Sequence, residues 1–363
     1  MRRFLVCNPY GIGDVLFSTP LLRALKAHFP DCVIGYLCNR RTEEILVTHP
    51  LIERLFVYEK DELRGQWRKT KWGATRTLWT LGKAIRKERF DTLLDLSLAP
   101  EFSLCLGWIG IPRRIGLEYK GRGRFLTDRI FLPGFDDKPV AEYYLELLQA
   151  VGVDVAGGRY PTELYTTEED GAFVEAFFKE NRLKQGEVVG IFPSGGATYG
   201  AKASYKLWGA SRFGRLCDLL SERLGVRTVV FKAPGEEGVT EELLQGTARP
   251  PVVLEKTTVR RMASMMKRCS VVVCNDGGPL HVAVSVGVRT VCLFGPTDPA
   301  VYGPYPPDPN RHLVLSQPVP CSPCYRRFKL PDCAQNVCLK WISPEKVFQA
   351  VERLMKQREE VKR

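Results

Sequence analysis

The hydrophobic positions of this chain fall into two alternating series. In the first, short aliphatic or β-branched runs lie at residues 4–7, 33–37, 54–57 and 92–96, with amphipathic stretches at 20–28 and 78–88. In the second, the runs lie at 188–192, 228–231, 251–254, 270–274 and 290–294, and helical patterns at 208–224, 259–267 and 280–286. Apolar runs without strict alternation, separated by helical periodicity, predict parallel strands covered by helices on both faces, an α/β architecture. The two series meet across residues 155–185, after Gly152, where Gly157, Gly158 and Pro161 give way to Thr166-Thr167-Glu168-Glu169-Asp170, turn residues followed by a helix start. The pattern therefore predicts one domain at 1–165, a second at 180–342 and a closing amphipathic helix in 343–363, opened by Ser343-Pro344-Glu345.

A chain of 363 residues suits two domains of roughly 150 residues each. No apolar run reaches the ~18 residues of a membrane span, and Phe4-Leu5-Val6 behind two arginines is too short for a signal peptide, so an intracellular, cytoplasmic protein is expected. Eight of the twelve cysteines are scattered through strand-like and helix-like segments and read as buried reduced thiols. The net charge of +12 favours an acidic partner: a nucleotide, a phosphorylated glycolipid, an anionic membrane face or nucleic acid.

Two stretches narrow the choice. Val271-Val272-Val273 runs into Cys274-Asn275-Asp276-Gly277-Gly278-Pro279-Leu280-His281 and then an apolar helix. A strand, a glycine turn and a helix start expose backbone N–H groups where a phosphate binds, and Pro279 suits the first helical turn. His281 reads equally as a phosphate contact or a packed side chain, and Asp276 as a helix cap. Near the start, Val6–Leu16 repeats the pattern around Gly11-Ile12-Gly13-Asp14. This is no dinucleotide fingerprint, since the third glycine would fall on Leu16, and the chain has no Walker lysine pattern. Asp14 is either a helix cap or a carboxylate offered to a substrate as base, with Gly13 allowing close approach. Between them, Pro193-Ser194-Gly195-Gly196-Ala197-Thr198-Tyr199-Gly200 follows a strand and precedes Lys202, Lys206 and Trp208. Hydroxyls, glycines and lysines in that order suit a diphosphate, or form a surface loop.

A basic stretch, residues 60–89, interleaves Arg64, Arg68, Lys69, Lys83, Arg86 and Lys87 with Trp67, Trp72 and Trp79. It is a solvated helix face, or a surface for an anionic lipid or membrane; no nucleic-acid motif accompanies it. The last four cysteines, Cys321-x2-Cys324-x8-Cys333-x4-Cys338, have spacings that fit a closed tetrahedral zinc or iron site pinning a loop; reduced thiols or a redox pair are the alternatives.

Asn8–Lys26, Asn275–Ala283 and Leu293-Phe294-Gly295-Pro296-Thr297-Asp298-Pro299 resemble, in order and separation, three signatures of the lipopolysaccharide heptosyltransferases, glycosyltransferase family 9. The resemblance implies the GT-B architecture: two Rossmann-like domains whose parallel sheets face an interdomain cleft, with the last helix crossing back to the first. It implies inverting transfer of heptose from ADP-heptose to the lipopolysaccharide inner core, an anionic glycolipid acceptor, and docking on the inner-membrane face. Carried over by position, Asp14 is the general base. Gly13, Ser194, Gly196, Lys206, Glu236, Asp276, Gly277, Gly278 and His281 would bind the nucleotide sugar, with Lys202 a rival to Lys206. Arg64, Arg68 and Lys69 are candidates for the acceptor. Asp276 would cap its helix, orient Lys206 or hold a magnesium ion that the reaction does not require. Some members also carry a four-cysteine finger with iron or zinc. Another nucleotide sugar, or a protein acceptor, is the alternative within enzymes. A non-enzymatic binding protein using the cysteine finger and basic stretch is the alternative outside them, but it leaves the paired glycine loops without a role.

Overall fold

The computed structural model describes residues 1–363 apart from 60–70, 196–203, 234, 236, 256, 334 and 363. The chain divides into two compact units, Met1–Thr162 and Glu163–Arg363.

In the first unit, β1 (Arg3–Cys7), α1 (Ile12–His28), β2 (Val33–Cys38), α2 (Arg40–Leu46), β3 (Arg54–Val57), α3 (Lys71–Lys87), β4 (Thr92–Asp95), α4 (Pro100–Ile109), β5 (Arg113–Glu118), β6 (Asp128–Phe131) and α5 (Val140–Glu146) follow in order, with a 3-10 turn at Leu147–Val151. The sheet is entirely parallel, ordered β3-β2-β1-β4-β5-β6. Side chains alternate across a strand, and the alternate residues Leu5 and Cys7 of β1 join Leu37, Phe56, Phe90 and Leu93 in a core that Ile85 of α3 and Leu106 of α4 complete. Helix α1 begins before Pro20, the residue at which sequence alone starts it. Proline cannot donate to the Leu16 carbonyl, but Thr19 Oγ1 does so at 2.8 Å, so the helix runs through.

The second unit contains α6 (Glu168–Glu180), β7 (Val188–Phe192), α7 (Ala210–Leu224), β8 (Arg227–Phe231), α8 (Glu237–Gln245), β9 (Val252–Leu254), α9 (Val259–Arg268), β10 (Val271–Asn275), α10 (Gly278–Ser285), β11 (Arg289–Phe294), α11 (Pro299–Tyr302), β12 (His312–Ser316), α12 (Val337–Lys340) and α13 (Pro344–Lys362). Its parallel sheet is ordered β12-β11-β10-β7-β8-β9. Helix α6 opens with a capping box: Thr167 N–H donates to Asp170 Oδ2 at 2.9 Å, and Asp170 N–H returns to Thr167 Oγ1 at 3.3 Å. Phe213, Leu216 and Leu220 of α7 and Val347, Val351 and Leu354 of α13 bury one face of the sheet. Helix α13 packs on α7, β10 and β11 of its own unit, and Arg358 donates to Ser270 Oγ at 2.5 Å.

Both sheets reverse strand order at one point, between β1 and β4 in the first and between β7 and β10 in the second. Loops leaving neighbouring strand ends in opposite directions open a crevice there, the usual ligand position in such sheets.

Candidate active site

The β7–β10 crevice holds a buried polar cluster. Asn275, the last residue of β10, ties three segments together. Its Oδ1 accepts from Trp208 N–H at 3.0 Å and its Nδ2 donates to the Pro193 carbonyl at 2.8 Å. Trp208 in turn donates through Nε1 to the Ile342 carbonyl at 2.8 Å. The next residue, Asp276, presents Oδ2 to Lys206 Nζ at 2.5 Å and to Thr297 Oγ1 at 2.5 Å. The Lys206 and Asp276 side chains are only 7% and 4% exposed, so this charge pair is screened little by water. His281, one turn along α10, is buried beside them. Burial holds its imidazole at about 4, with Asp276 opposing and Lys206 reinforcing, so the ring is neutral at pH 7.

Asp276 does not cap α10. The cap residue is Gly277, which makes no side-chain cap bond, and the carboxylate is engaged by Lys206 and Thr297. Gly277 is required by space: a Cβ there would stand 2.5 Å from the Gly195 carbonyl oxygen, and backbone cannot yield as a side chain can. The loops after β7 and β10 thus touch at two glycines. The Ser194 hydroxyl is buried in this region and finds no hydrogen-bond partner among the described residues. A lysine, an open hydroxyl and a glycine-led helix start in one crevice make a cradle for an anion.

The β1–β4 crevice of the first unit holds Asp14. It lies half-buried in the first turn of α1, where its Oδ2 accepts from Gly11 N–H at 3.3 Å. The helix-cap reading is therefore realised by that oxygen. Gly13 is in the same turn. Buried Asn8 organises the approach: its Nδ2 donates to the Asp14 carbonyl at 3.0 Å and its Oδ1 accepts from Tyr10 N–H at 3.3 Å. The Tyr10 hydroxyl donates to the Ser97 carbonyl, and Ser97 donates through N–H at 3.0 Å and Oγ at 2.5 Å to Asp95 Oδ1. Burial pushes the Asp95 carboxyl up to about 6, against the Ser97 hydrogen bonds. Burial, then Asp14 and Asp95, raise the Tyr10 phenol well above its ordinary value. Asn8, Tyr10 and Asp95 were not singled out from sequence; the one signal for Asp95 was a carboxylate closing the apolar run Leu93-Leu94.

Of the other expected site residues, Gly196, Lys202, Glu236, Arg64, Arg68 and Lys69 lie outside the described residues. A metal site at the four cysteines is not shown. Cys321, Cys324, Cys333 and Cys338 are free thiols, and Cys324 and Cys338 are raised by burial first and then by their neighbouring cysteines, so the four share one locality. Yet no three His, Cys, Asp or Glu side chains among the described residues are gathered as a metal ion needs. The donors are of the right kind, and their loop is held in place by further bonds. Cys324 and Tyr325 N–H groups donate to the Pro296 carbonyl at 2.9 and 2.8 Å, Cys333 Sγ accepts from Asn336 N–H at 3.3 Å, and Cys338 Sγ sits 3.6 Å from Asn336 Oδ1. Of the eight other cysteines, Cys105 is exposed rather than buried.

Residues 78–334 match the profile of glycosyltransferase family 9 (heptosyltransferase). Lipopolysaccharide heptosyltransferase 3 of Escherichia coli is 23% identical over 306 residues, covering 81% of this chain and 83% of that one. Among solved structures, the glycosyl transferase family 9 protein of Veillonella parvula superposes with a TM-score of 0.79 at 24% identity, over 98% of both chains. The E. coli ADP-heptose lps heptosyltransferase II does so with 0.75 at 20% identity, over 99% of this chain and 100% of that one. Two parallel six-stranded α/β units, each with its polar residues at the strand-order switch, and a profile match across most of the chain place the protein in glycosyltransferase family 9, as a GT-B enzyme.

Proposed function

We propose that this glycosyltransferase transfers heptose, with inversion, from ADP-heptose to the inner core of a lipid A-core acceptor, an anionic glycolipid presented at the cytoplasmic face of a membrane. The observation that carries the reading is the buried cradle of Lys206, Ser194 and the α10 start at the β7–β10 switch. The relatives, ADP-heptose and lipopolysaccharide heptosyltransferases, suggest the donor and the acceptor class.

Inversion is an in-line displacement at the anomeric carbon. The acceptor hydroxyl attacks, the bond to the ADP oxygen breaks, and negative charge grows on the diphosphate. In this reading Asp14 takes the hydroxyl proton, a role worth roughly 10²–10⁴-fold. Lys206, the Ser194 hydroxyl and the N–H groups of Gly277 and Gly278 meet the departing charge, with Gly13, Gly196 and Glu236 completing the donor site. Asp276 fixes the Lys206 ammonium rather than holding magnesium, which the reaction does not need. His281, neutral, offers a hydrogen bond without adding charge. Arg64, Arg68 and Lys69 are assigned to acceptor phosphates.

Nucleotide release from a panel of sugar donors, measured with a delipidated heptose-deficient core acceptor, tests this. Release that depends on ADP-heptose and vanishes in Asp14→Asn, with ADP affinity retained, is expected. Release with a different donor would reassign the sugar, and wild-type turnover in the variant would remove Asp14 from the base role. Zinc or iron belongs to this reading only as an ion that draws Cys321, Cys324, Cys333 and Cys338 together; substoichiometric metal in purified protein would remove it.

A further inference from the structure

Two tryptophans stand in solvent on adjoining helices of the first unit: Trp79 on α3 is 66% exposed and Trp108 on α4 is 84% exposed. Buried tryptophan is the rule, and such exposure marks a surface that something covers. The helices touch where Gly82 of α3 meets Ile109 of α4, since a Cβ on Gly82 would lie 3.4 Å from Ile109 Cδ1. Trp79 is one turn before Gly82, and Trp108 is the neighbour of Ile109. Leu78, 42% exposed, lies beside Trp79, and the exposed Cys105 lies one turn before Trp108.

On the α3 side of this apolar surface the charge has one sign. Arg76, Lys83 and Arg86 flank Trp79 at helical spacing, all exposed, with Lys87 beside them, and the Lys83 ammonium sits 5.0 Å from the Trp79 ring centroid. No Asp or Glu occurs between residues 71 and 87. Glu88, at the end of α3, is already taken by Arg3 at 2.9 Å and Arg54 at 3.0 Å. Glu101 at the start of α4 is the acid in that helix. Tryptophan beside an uncompensated row of cations matches a bilayer interface: the indole settles at headgroup depth while ammonium and guanidinium groups meet anionic headgroups.

We infer that the α3–α4 surface of the first unit, centred on Trp79 and Trp108 with Lys83, Arg86 and Lys87, docks the protein on an anionic bilayer. This deepens the reading of a membrane-borne acceptor by naming the surface that reaches it.

The test is co-sedimentation of the full chain with phosphatidylcholine vesicles, with and without phosphatidylglycerol, and with no acceptor glycolipid present. Binding at least tenfold tighter to the anionic vesicles, weakened by salt, is expected. Quenching of wild-type tryptophan emission by bromine-bearing lipid should accompany it. Trp79→Ser with Trp108→Ser should lose at least tenfold in vesicle affinity while melting and ADP affinity stay as in wild type. Lys83→Gln with Arg86→Gln and Lys87→Gln should lose the anionic preference. Equal vesicle binding by both variants, no binding or quenching in wild type, or tryptophan variants that only change a dimer to a monomer would each overturn the inference. The two readings fail separately: a chain that ignores vesicles but turns over ADP-heptose on the soluble acceptor refutes this surface alone, and one that binds vesicles but not ADP refutes the donor alone.

Discussion

Replacing Lys206 by alanine strands a carboxylate. In the wild type, Asp276 Oδ2 has the Lys206 ammonium at 2.5 Å and the Thr297 hydroxyl at 2.5 Å. At that distance, with an effective dielectric near 20, the gross attraction is about 7 kcal/mol, most of it offset by removing both charges from water. The single substitution removes the attraction and keeps the desolvated anion, which typically costs about 3–5 kcal/mol. For a unit the size of Glu163–Arg363 this corresponds to a fall in melting temperature of roughly 6–20 °C. Lys206→Met combined with Asp276→Asn removes both charges and lets Thr297 keep an acceptor, so most of the loss should return. The assay is calorimetry of wild type, Lys206→Met, Asp276→Asn and the double variant, reading the transition of the second unit, because two units need not unfold as one. A coupling under about 0.5 kcal/mol would refute the reasoning, since the two side chains would then act independently. ADP titration gives the functional half: at least tenfold weaker binding in Lys206→Ala is expected, and an unchanged dissociation constant would move the diphosphate contact to Lys202.

Acid should destabilise the second unit. Burial holds His281 and His312 at about 4, against about 6.5 unfolded, so the unfolded chain binds more protons between those values; stability is full above pH 6.5 and falls as pH drops toward 4, by about 2 kcal/mol per histidine at pH 5. Urea melts at pH 8 and pH 5 check this, and a flat profile would contradict it. Asp95 acts in the opposite direction in the first unit: held at about 6 by burial, its contribution is present below the unfolded value near 3.9 and lost as pH rises through 6, so Asp95→Asn should remove a loss of about 1 kcal/mol between pH 5 and 8. Gly277→Ala should abolish ADP binding by forcing the loops after β7 and β10 apart, because its Cβ would stand 2.5 Å from Gly195 O; calorimetric titration showing wild-type affinity would mean the loops yield.

The sheets were legible where strands are buried on both faces. Runs such as Val188–Phe192, buried throughout, announce themselves. Arg113–Glu118, Asp128–Phe131 and His312–Ser316 were missed because they lie at or beside a sheet edge, where one face meets solvent and charges interrupt the apolar run. The site was legible as far as contiguous motifs reach: Asp14, Lys206 and Asp276 all sit in recognisable turns. Thr297, Asn275 and Asp95 acquire their roles through contacts across strand ends, which spacing along the chain does not encode. The four cysteines show the same limit from the other side. Spacing brings the thiols into one locality, but the bonds that hold their loop to Pro296 and Asn336 are tertiary contacts that no spacing rule counts.

Asp14 shows why a capping contact does not exclude the proposed role as base. A carboxylate in the first turn of α1 is favoured by the helix dipole and by its bond to Gly11 N–H, so the fold itself supplies a reason for aspartate there. The 3.3 Å length of that bond is at the weak end of the range, and the side chain is half-buried rather than sealed. The group is thus fixed in orientation by the helix start while the side chain still meets solvent in part, and a fixed orientation is one thing a general base requires. Asparagine retains the cap acceptor and the shape but not the charge or the basicity. Loss of turnover in Asp14→Asn with unchanged melting would therefore separate the two roles, whereas alanine at the same position would remove both at once.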